Sequence, residues 1–139
     1  MCVMSQRTFV LLKPDTVKRG LVGAVLQRFE DRGLTIVALE QRTIDGGLAD
    51  QHYAEHVERD FYPPLRAFVT SGPLVAVVLE GDEAIEVVRG INGATDGRKA
   101  APGTIRGDYS LSNRENLVHG SDSAESAARE IALWFPALG

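Results

Sequence analysis

The order of apolar segments predicts an α+β fold of the ferredoxin-like, split β-α-β sandwich type. It comprises a four-stranded antiparallel sheet with helices on one face, an inserted helical hairpin and one long loop. Three observations carry this expectation. Short apolar runs alternate with segments whose apolar residues recur every three or four positions, giving the order β-α-β-(α)-β-α-β-α. The second and third strands are joined by two short helical segments, which fits the competing doubly wound α/β sheet less well. The stretch from Gly93 to Ser112 is rich in glycine and has no periodicity.

The first strand is Phe9-Val10-Leu11-Leu12, stopped by Lys13-Pro14-Asp15. Leu21, Val22, Val25, Leu26 and Phe29 then form the apolar stripe of a helix that ends at Arg32-Gly33. Leu34 to Leu39 is apolar and β-branched and reads as the second strand, with Asp45-Gly46-Gly47 breaking the chain behind it. Leu48 to His56 is weakly helical, and Phe61 to Phe68 is a short helix interrupted by Pro63-Pro64. After the Ser71-Gly72-Pro73 turn, Leu74 to Leu79 is the most apolar run and the natural central strand. Glu83 to Asn92 carries Ala84, Ile85, Val88 and Ile91 on one side of a helix. A loop as long as 93–112 inside a compact domain is uncommon and usually functional or disordered; its Thr95, Arg98, Lys99, Arg106 and Asp108 favour function. Asn116 to His119 reads as the fourth strand. Gly120-Ser121-Asp122-Ser123 opens a last helix, for which Ala124, Ala127, Ala128, Ile131 and Phe135 are the expected buried stripe.

A chain of 139 residues with 44% hydrophobic content can bury a core as one domain, 1–139. Its net charge of -4 argues against nucleic acid as main partner, because non-specific binding draws on basic residues that release counterions. Cys2 is the only cysteine, so no internal disulfide can form and a reducing compartment is expected. No apolar run is long enough to span a membrane, and no signal-peptide pattern opens the chain. The expectation is a soluble, cytoplasmic protein.

His119 is the most informative residue. It ends an apolar strand and precedes a small-residue turn into a helix, where free N–H groups favour an anion. A neutral imidazole there can accept a phosphoryl group, provided a carboxylate or carbonyl fixes its tautomer. Glu130 in the following helix could fold back to do so. The spacing alone equally allows a structural histidine with Glu130 simply exposed. Lys13, Arg59, Arg89 and Arg106 would make a positive pocket for a polyphosphate if they converge, although separate surface arginines are common. Phe61 and Tyr53 offer faces on which a base could stack. Neither a P-loop nor a dinucleotide fingerprint is present. His52 and His56 lack the glutamate of a zinc-protease motif, and Arg106-Gly107-Asp108 is too short a match to carry weight.

The run Asn116-Leu117-Val118-His119-Gly120-Ser121-Asp122-Ser123 resembles the active-site signature of the nucleoside diphosphate kinase family. Lys13-Pro14-Asp15 with Arg19-Gly20-Leu21-Val22-Gly23, then His52-Tyr53, Thr70 to Pro73, Gly93-Ala94-Thr95 and Pro102 to Asp108 resemble it in the same order. The resemblance runs from about Arg7 to Pro136, and the ending Ala132 to Pro136 is similar to short bacterial forms.

The resemblance implies reversible transfer of a γ-phosphoryl group from a nucleoside triphosphate such as ATP to a nucleoside diphosphate. The route is ping-pong, through phosphorylated His119. By resemblance Glu130 holds the other ring nitrogen, with Ser121 in the same network. Lys13, Tyr53 and Asn116 lie near the transferred phosphoryl and the sugar hydroxyls. Arg59, Thr95, Arg89 and Arg106 bind phosphates, and Phe61 and Leu65 form the clamp that stacks on the base, with Asn113 on its other side. Broad base specificity follows, since every base has a π-face. Mg2+ is implied on the nucleotide phosphates, with Asp122 the nearest carboxylate to help through water. The family also implies a homo-oligomer, a hexamer favoured over a tetramer.

Three places depart from the family pattern: Asn113 in place of a frequent Val, Asp96-Gly97 in place of Asn-Pro, and Asp60 in place of Pro. The alternative to the enzyme is a nucleotide- or nucleic-acid-binding regulatory protein on the same scaffold. A protein histidine kinase that relays its phosphoryl group to other proteins ranks below both.

Overall fold

The computed structural model describes residues 5–138, so Cys2 lies outside the described residues. Eleven elements and a terminal 3-10 turn follow in the order β1 (Ser5–Leu12), α1 (Pro14–Lys18), α2 (Val22–Asp31), β2 (Thr35–Arg42), α3 (Gly46–His52), α4 (Tyr62–Val69), β3 (Leu74–Asp82), α5 (Ala84–Asn92), α6 (Ile105–Tyr109), β4 (Val118–Gly120) and α7 (Ala124–Trp134). The strands form one four-stranded sheet in the order β2-β3-β1-β4. Every neighbouring pair is antiparallel. This is the split β-α-β arrangement, and it excludes a doubly wound parallel sheet.

The expectation of helices on one face is corrected. Val10, Leu12, Val75, Val77 and Leu79 pack with Val25 and Phe29 of α2 and with Val88 and Ile91 of α5. Their strand neighbours Phe9, Leu11, Leu74, Ala76 and Val78 pack with Ala49, Tyr62, Val69, Ile131 and Trp134 on the other side. Both faces are therefore covered, by α2 and α5 on one and by the α3–α4 hairpin and α7 on the other. Double coverage explains why β1 and β3 read as unbroken apolar runs, since a half-solvated strand would alternate.

Several boundaries shift for local reasons. Lys13-Pro14-Asp15 opens the short helix α1, because proline is well suited to a first helical position. Pro63-Pro64 likewise begin α4, which starts at Tyr62, instead of interrupting a helix. The weak helix expected to reach His56 ends at His52. The long loop contains α6, capped where the Thr104 hydroxyl accepts from Gly107 N at 3.0 Å. In α7 the buried stripe is Ala127, Glu130, Ile131 and Trp134, whereas Ala124 and Ala128 are exposed and Phe135 is half-buried.

The sheet brings distant parts of the chain to one place. Leu11 of β1 lies opposite His119 of β4. Just beyond β1, Lys13 N donates to Leu117 O at 2.8 Å. A side chain at Gly120 would put its Cβ 2.9 Å from Asn92 Nδ2, so glycine lets α5 close on β4 beside the histidine.

Candidate active site

A cleft of about 290 Å³ opens at this end of β1 and β4. Lys13, Tyr53, Arg89, Thr95, Arg106, Asn116, His119, Asp122 and Glu130 all line it. The ring of His119 is anchored on one side, where Nε2 lies 3.1 Å from Glu130 Oε1. The Ser121 hydroxyl donates to the same oxygen at 2.6 Å and accepts from Phe9 N at 3.3 Å. Glu130 is 4% exposed, so this carboxylate is a fixed acceptor and not a surface group. Its pairing puts the imidazole proton on Nε2 and leaves Nδ1 as the lone-pair nitrogen.

Four cations line the cleft, of which Arg129 lies 3.8 Å from a Glu130 carboxylate oxygen. Lys13 is 7% exposed and donates from Nζ to Asn116 Oδ1 at 2.8 Å. Burial, and then the charge of Arg106, push its ammonium down to about 8, with Asp15 opposing. Arg106 donates to three backbone carbonyls, from Nε to Asn116, from Nη1 to Gly93 and from Nη2 to Val118. Burial, and then Arg89, lower its guanidinium to about 10. Among the described residues, none of Lys13, Arg89 and Arg106 forms an ion pair with a carboxylate. Unneutralised positive charge in a cleft of an acidic protein is an anion site. Asn116 ties the arrangement to the long loop, donating from Nδ2 to Thr95 O at 2.8 Å and Asn113 O at 3.1 Å.

The comparisons with known proteins agree with this geometry. The family model described as nucleoside diphosphate kinase matches residues 6–138. The chain belongs to the nucleoside diphosphate kinase family. A Nocardioides nucleoside diphosphate kinase is 76% identical over 135 residues, covering 97% of this chain and 100% of that protein. One from Mycobacteroides abscessus is 62% identical over 136 residues, with 97% and 100% covered. The solved structure of a halophilic nucleoside diphosphate kinase from Halobacterium salinarum in complex with CDP superposes with a TM-score of 0.92 at 49% identity. It covers 95% of this chain and 88% of that one.

Set against the nucleoside diphosphate kinase pattern, the remaining expected residues divide into two groups. Phe61, Leu65, Arg59 and Asn113 are not among the cleft-lining residues. Phe61 is 47% exposed on the rim, its ring 5.5 Å from that of His56, which does line the cleft. The Arg59 guanidinium stacks 5.7 Å over the Phe61 ring. Leu65 is half-buried against the hairpin core, and Asn113 is exposed. Asp122 lines the cleft. The Ser126 hydroxyl holds its carboxyl below the usual range and Arg89 adds to this, so it stays anionic.

Sequence reasoning missed His52 and Asn92 as cleft-lining groups. His52 is 3% exposed, and its Nδ1 accepts from Trp134 Nε1 at 3.0 Å. Burial foremost keeps its imidazole neutral, well below the ordinary value. His52 Nε2, Tyr53 Oη and Asn92 Oδ1 are buried without a hydrogen-bond partner. A buried group in that state is costly unless something else fills its bonding capacity. The only signal for His52 was its place beside Tyr53 in a family motif. Ligand atoms of His52, His119 and Glu130 lie within 4.8 Å of one another. The indole N–H can only donate, however, so His52 carries its proton on Nε2 and has no lone pair there for a metal.

Proposed function

We propose that His119 takes the γ-phosphoryl group of a nucleoside triphosphate and hands it to the β-phosphate of a nucleoside diphosphate, in a domain spanning residues 1–139. The observation that carries this reading is the Glu130 bond to His119 Nε2, which leaves Nδ1 free at a cleft of unpaired cations. In the first half-reaction the Nδ1 lone pair attacks the γ-phosphorus, a P–N bond forms, and the bond to the β,γ-bridging oxygen breaks. The diphosphate departs with that electron pair. The ring becomes positive as it is phosphorylated, and Glu130 faces that charge from Nε2. In the second half-reaction a β-phosphate oxygen of another diphosphate attacks the phosphorus, and the P–N bond breaks back to a neutral imidazole.

Lys13, Arg89 and Arg106 oppose the charge on the moving and bridging oxygens, the main work phosphoryl transfer asks of a protein. The fixed hydrogen bonds of Lys13 and Arg106 mean little reorganises around these two during the step. Tyr53 and Thr95 line the phosphate path, and Asn116 holds Lys13 in place with Oδ1, whose second lone pair is left for a sugar hydroxyl. Mg2+ fits as a partner of the nucleotide: Asp122 is anionic and lines the cleft, and one such carboxylate suits a water-bridged ion better than a protein cage. Bound there, the ion would neutralise phosphate charge. Phe61 on the rim, with Leu65 and Asn113 as the further base contacts, would hold the base without reading its edge, which supports broad specificity.

The same reading includes a cytoplasmic homo-oligomer, a hexamer in preference to a tetramer. No helix among the described residues is long and apolar enough to cross a membrane. The test is intact-protein mass after brief incubation with magnesium and ATP, and again after GDP is added. One phosphoryl group per subunit is expected, removed by GDP with formation of GTP and absent in His119→Ala. A folded, nucleotide-binding protein that never gains the group would favour a regulatory binding role instead.

A further inference from the structure

We propose that Asp15 is a positioning residue for phosphoryl transfer: its buried carboxylate holds Leu117 in a left-handed turn and thereby sets how Asn116 and His119 leave that turn. The inference rests on the phosphohistidine reading above.

Leu117 has φ of +73°, a backbone region that residues with a Cβ rarely adopt. Val118 N donates to Asn116 O at 2.8 Å, closing an i to i+2 bond around it. A positive-φ centre with that bond is the rare, strained form of the γ-turn. Such a backbone persists only where its surroundings over-determine it. Those that hold Leu117 itself come from the start of the chain. Leu117 N donates to Asp15 Oδ2 at 3.0 Å, while Leu117 O accepts from Lys13 N at 2.8 Å and Thr16 Oγ1 at 2.7 Å.

The residues on either side of the turn are working parts of the cleft. Asn116 accepts from Lys13 through its side chain and from Arg106 through its backbone, and the Val118 carbonyl also takes Arg106. His119 follows one residue later. Leu117 is fully buried, so without the carboxylate its N–H has no water to turn to. Relaxation of the turn to an ordinary φ would rotate the carbonyl of Asn116 away from Arg106 and move Nδ1 of His119. Asp15 is 6% exposed and touches neither cleft nor nucleotide in any of its hydrogen bonds, so it acts through the backbone. Its charge also lies near Lys13, and the experiment must separate the two effects.

The measurements are Leu117 amide hydrogen exchange in nucleotide-free protein and the rate of phosphoenzyme formation against ATP concentration. Asp15→Ala is expected to speed Leu117 exchange at least about tenfold and to slow phosphoenzyme formation about 100-fold, with KM for ATP within about twofold. Asp15→Asn keeps an acceptor oxygen but drops the charge, and is expected to stay within about fivefold of the unmodified rate. Thr16→Val loosens the same turn from its carbonyl side without touching the charge, and should slow the step about threefold at constant KM; it serves if Asp15→Ala does not fold. An unchanged rate in folded Asp15→Ala overturns the proposal. So does Asp15→Asn as slow as Asp15→Ala, or Thr16→Val with unchanged rate and exchange. Should the unmodified protein form no phosphohistidine, the reading of function fails separately, because the exchange measurement involves no chemistry.

Discussion

The floor of the cleft and its rim are built to different standards. On the floor Lys13, Asn116, Arg106, His119 and Glu130 are buried or half-buried, and each is held by at least one short hydrogen bond to a side chain or backbone carbonyl. On the rim Phe61 is half exposed, and the Arg59 guanidinium stacks on the face of that ring with no carboxylate partner among the described residues. The difference matches the demands of the two jobs. Phosphoryl transfer depends on donors fixed where charge develops, whereas stacking tolerates displacement across a flat face. Departures such as Asp60 and Asn113 fall on the tolerant side.

Breaking the floor should therefore be costly, and breaking the rim should not. The largest effect is expected for Arg106→Ala, a loss of about 100- to 1,000-fold in kcat. A lower melting temperature should accompany it, since three backbone carbonyls lose their donor, and steady-state kinetics with a thermal melt would check both. Glu130→Gln should keep the packing but remove the charge that faces the phosphorylated ring, lowering phosphoenzyme formation about 10- to 100-fold at nearly constant KM, as read by rapid-quench kinetics. The third expectation concerns pH. Lys13 titrates near 8 in the folded protein, below the ordinary lysine value, so its positive charge is present below pH 8 and lost above it. The alkaline limb of kcat/KM should fall about tenfold per pH unit above 8, and Lys13→Arg should move that limb upward. For stability the sign is reversed: the unfolded chain holds the proton more tightly, so this group destabilises the fold when charged, and that cost fades as pH rises from 8 toward the ordinary lysine value. The smallest change is expected at the rim. Phe61→Ala should raise KM about fivefold for every base and leave kcat within about twofold, measured across four nucleoside diphosphates.

The sequence carried the floor better than the surroundings that hold it. Phe9 to Leu12 and Leu74 to Leu79 marked the two central strands. Their lack of alternation already indicated cover on both faces, although the helices were expected on one. His119, Glu130 and Lys13 stood out because their chemistry is tied to residue type. Trp134 did not, because alanines set the apparent phase of α7 and its one aromatic residue lies in the last turn. The helix α6 spans five residues, too few to show a period, and only the Thr104 cap announces it. Nothing in the composition of Asn116 to Val118 signals a left-handed leucine. That conformation is imposed by a segment a hundred residues earlier in the chain, so only the folded backbone reveals it.

The sheet order has a consequence for when activity can first exist during synthesis. Of the four described strands β1 emerges first, yet its neighbours are β3 and β4, and β4 is the last of them to be made. Contacts of such high sequence separation form slowly, because a long loop must close before they bring any gain. The lysine, the turn it steadies and the histidine with its carboxylate thus remain apart on a nascent chain until α7 is available to dock. A truncated product could be well made as far as Asp108 and still be chemically silent, so turnover is itself a report that both ends of the polypeptide have met.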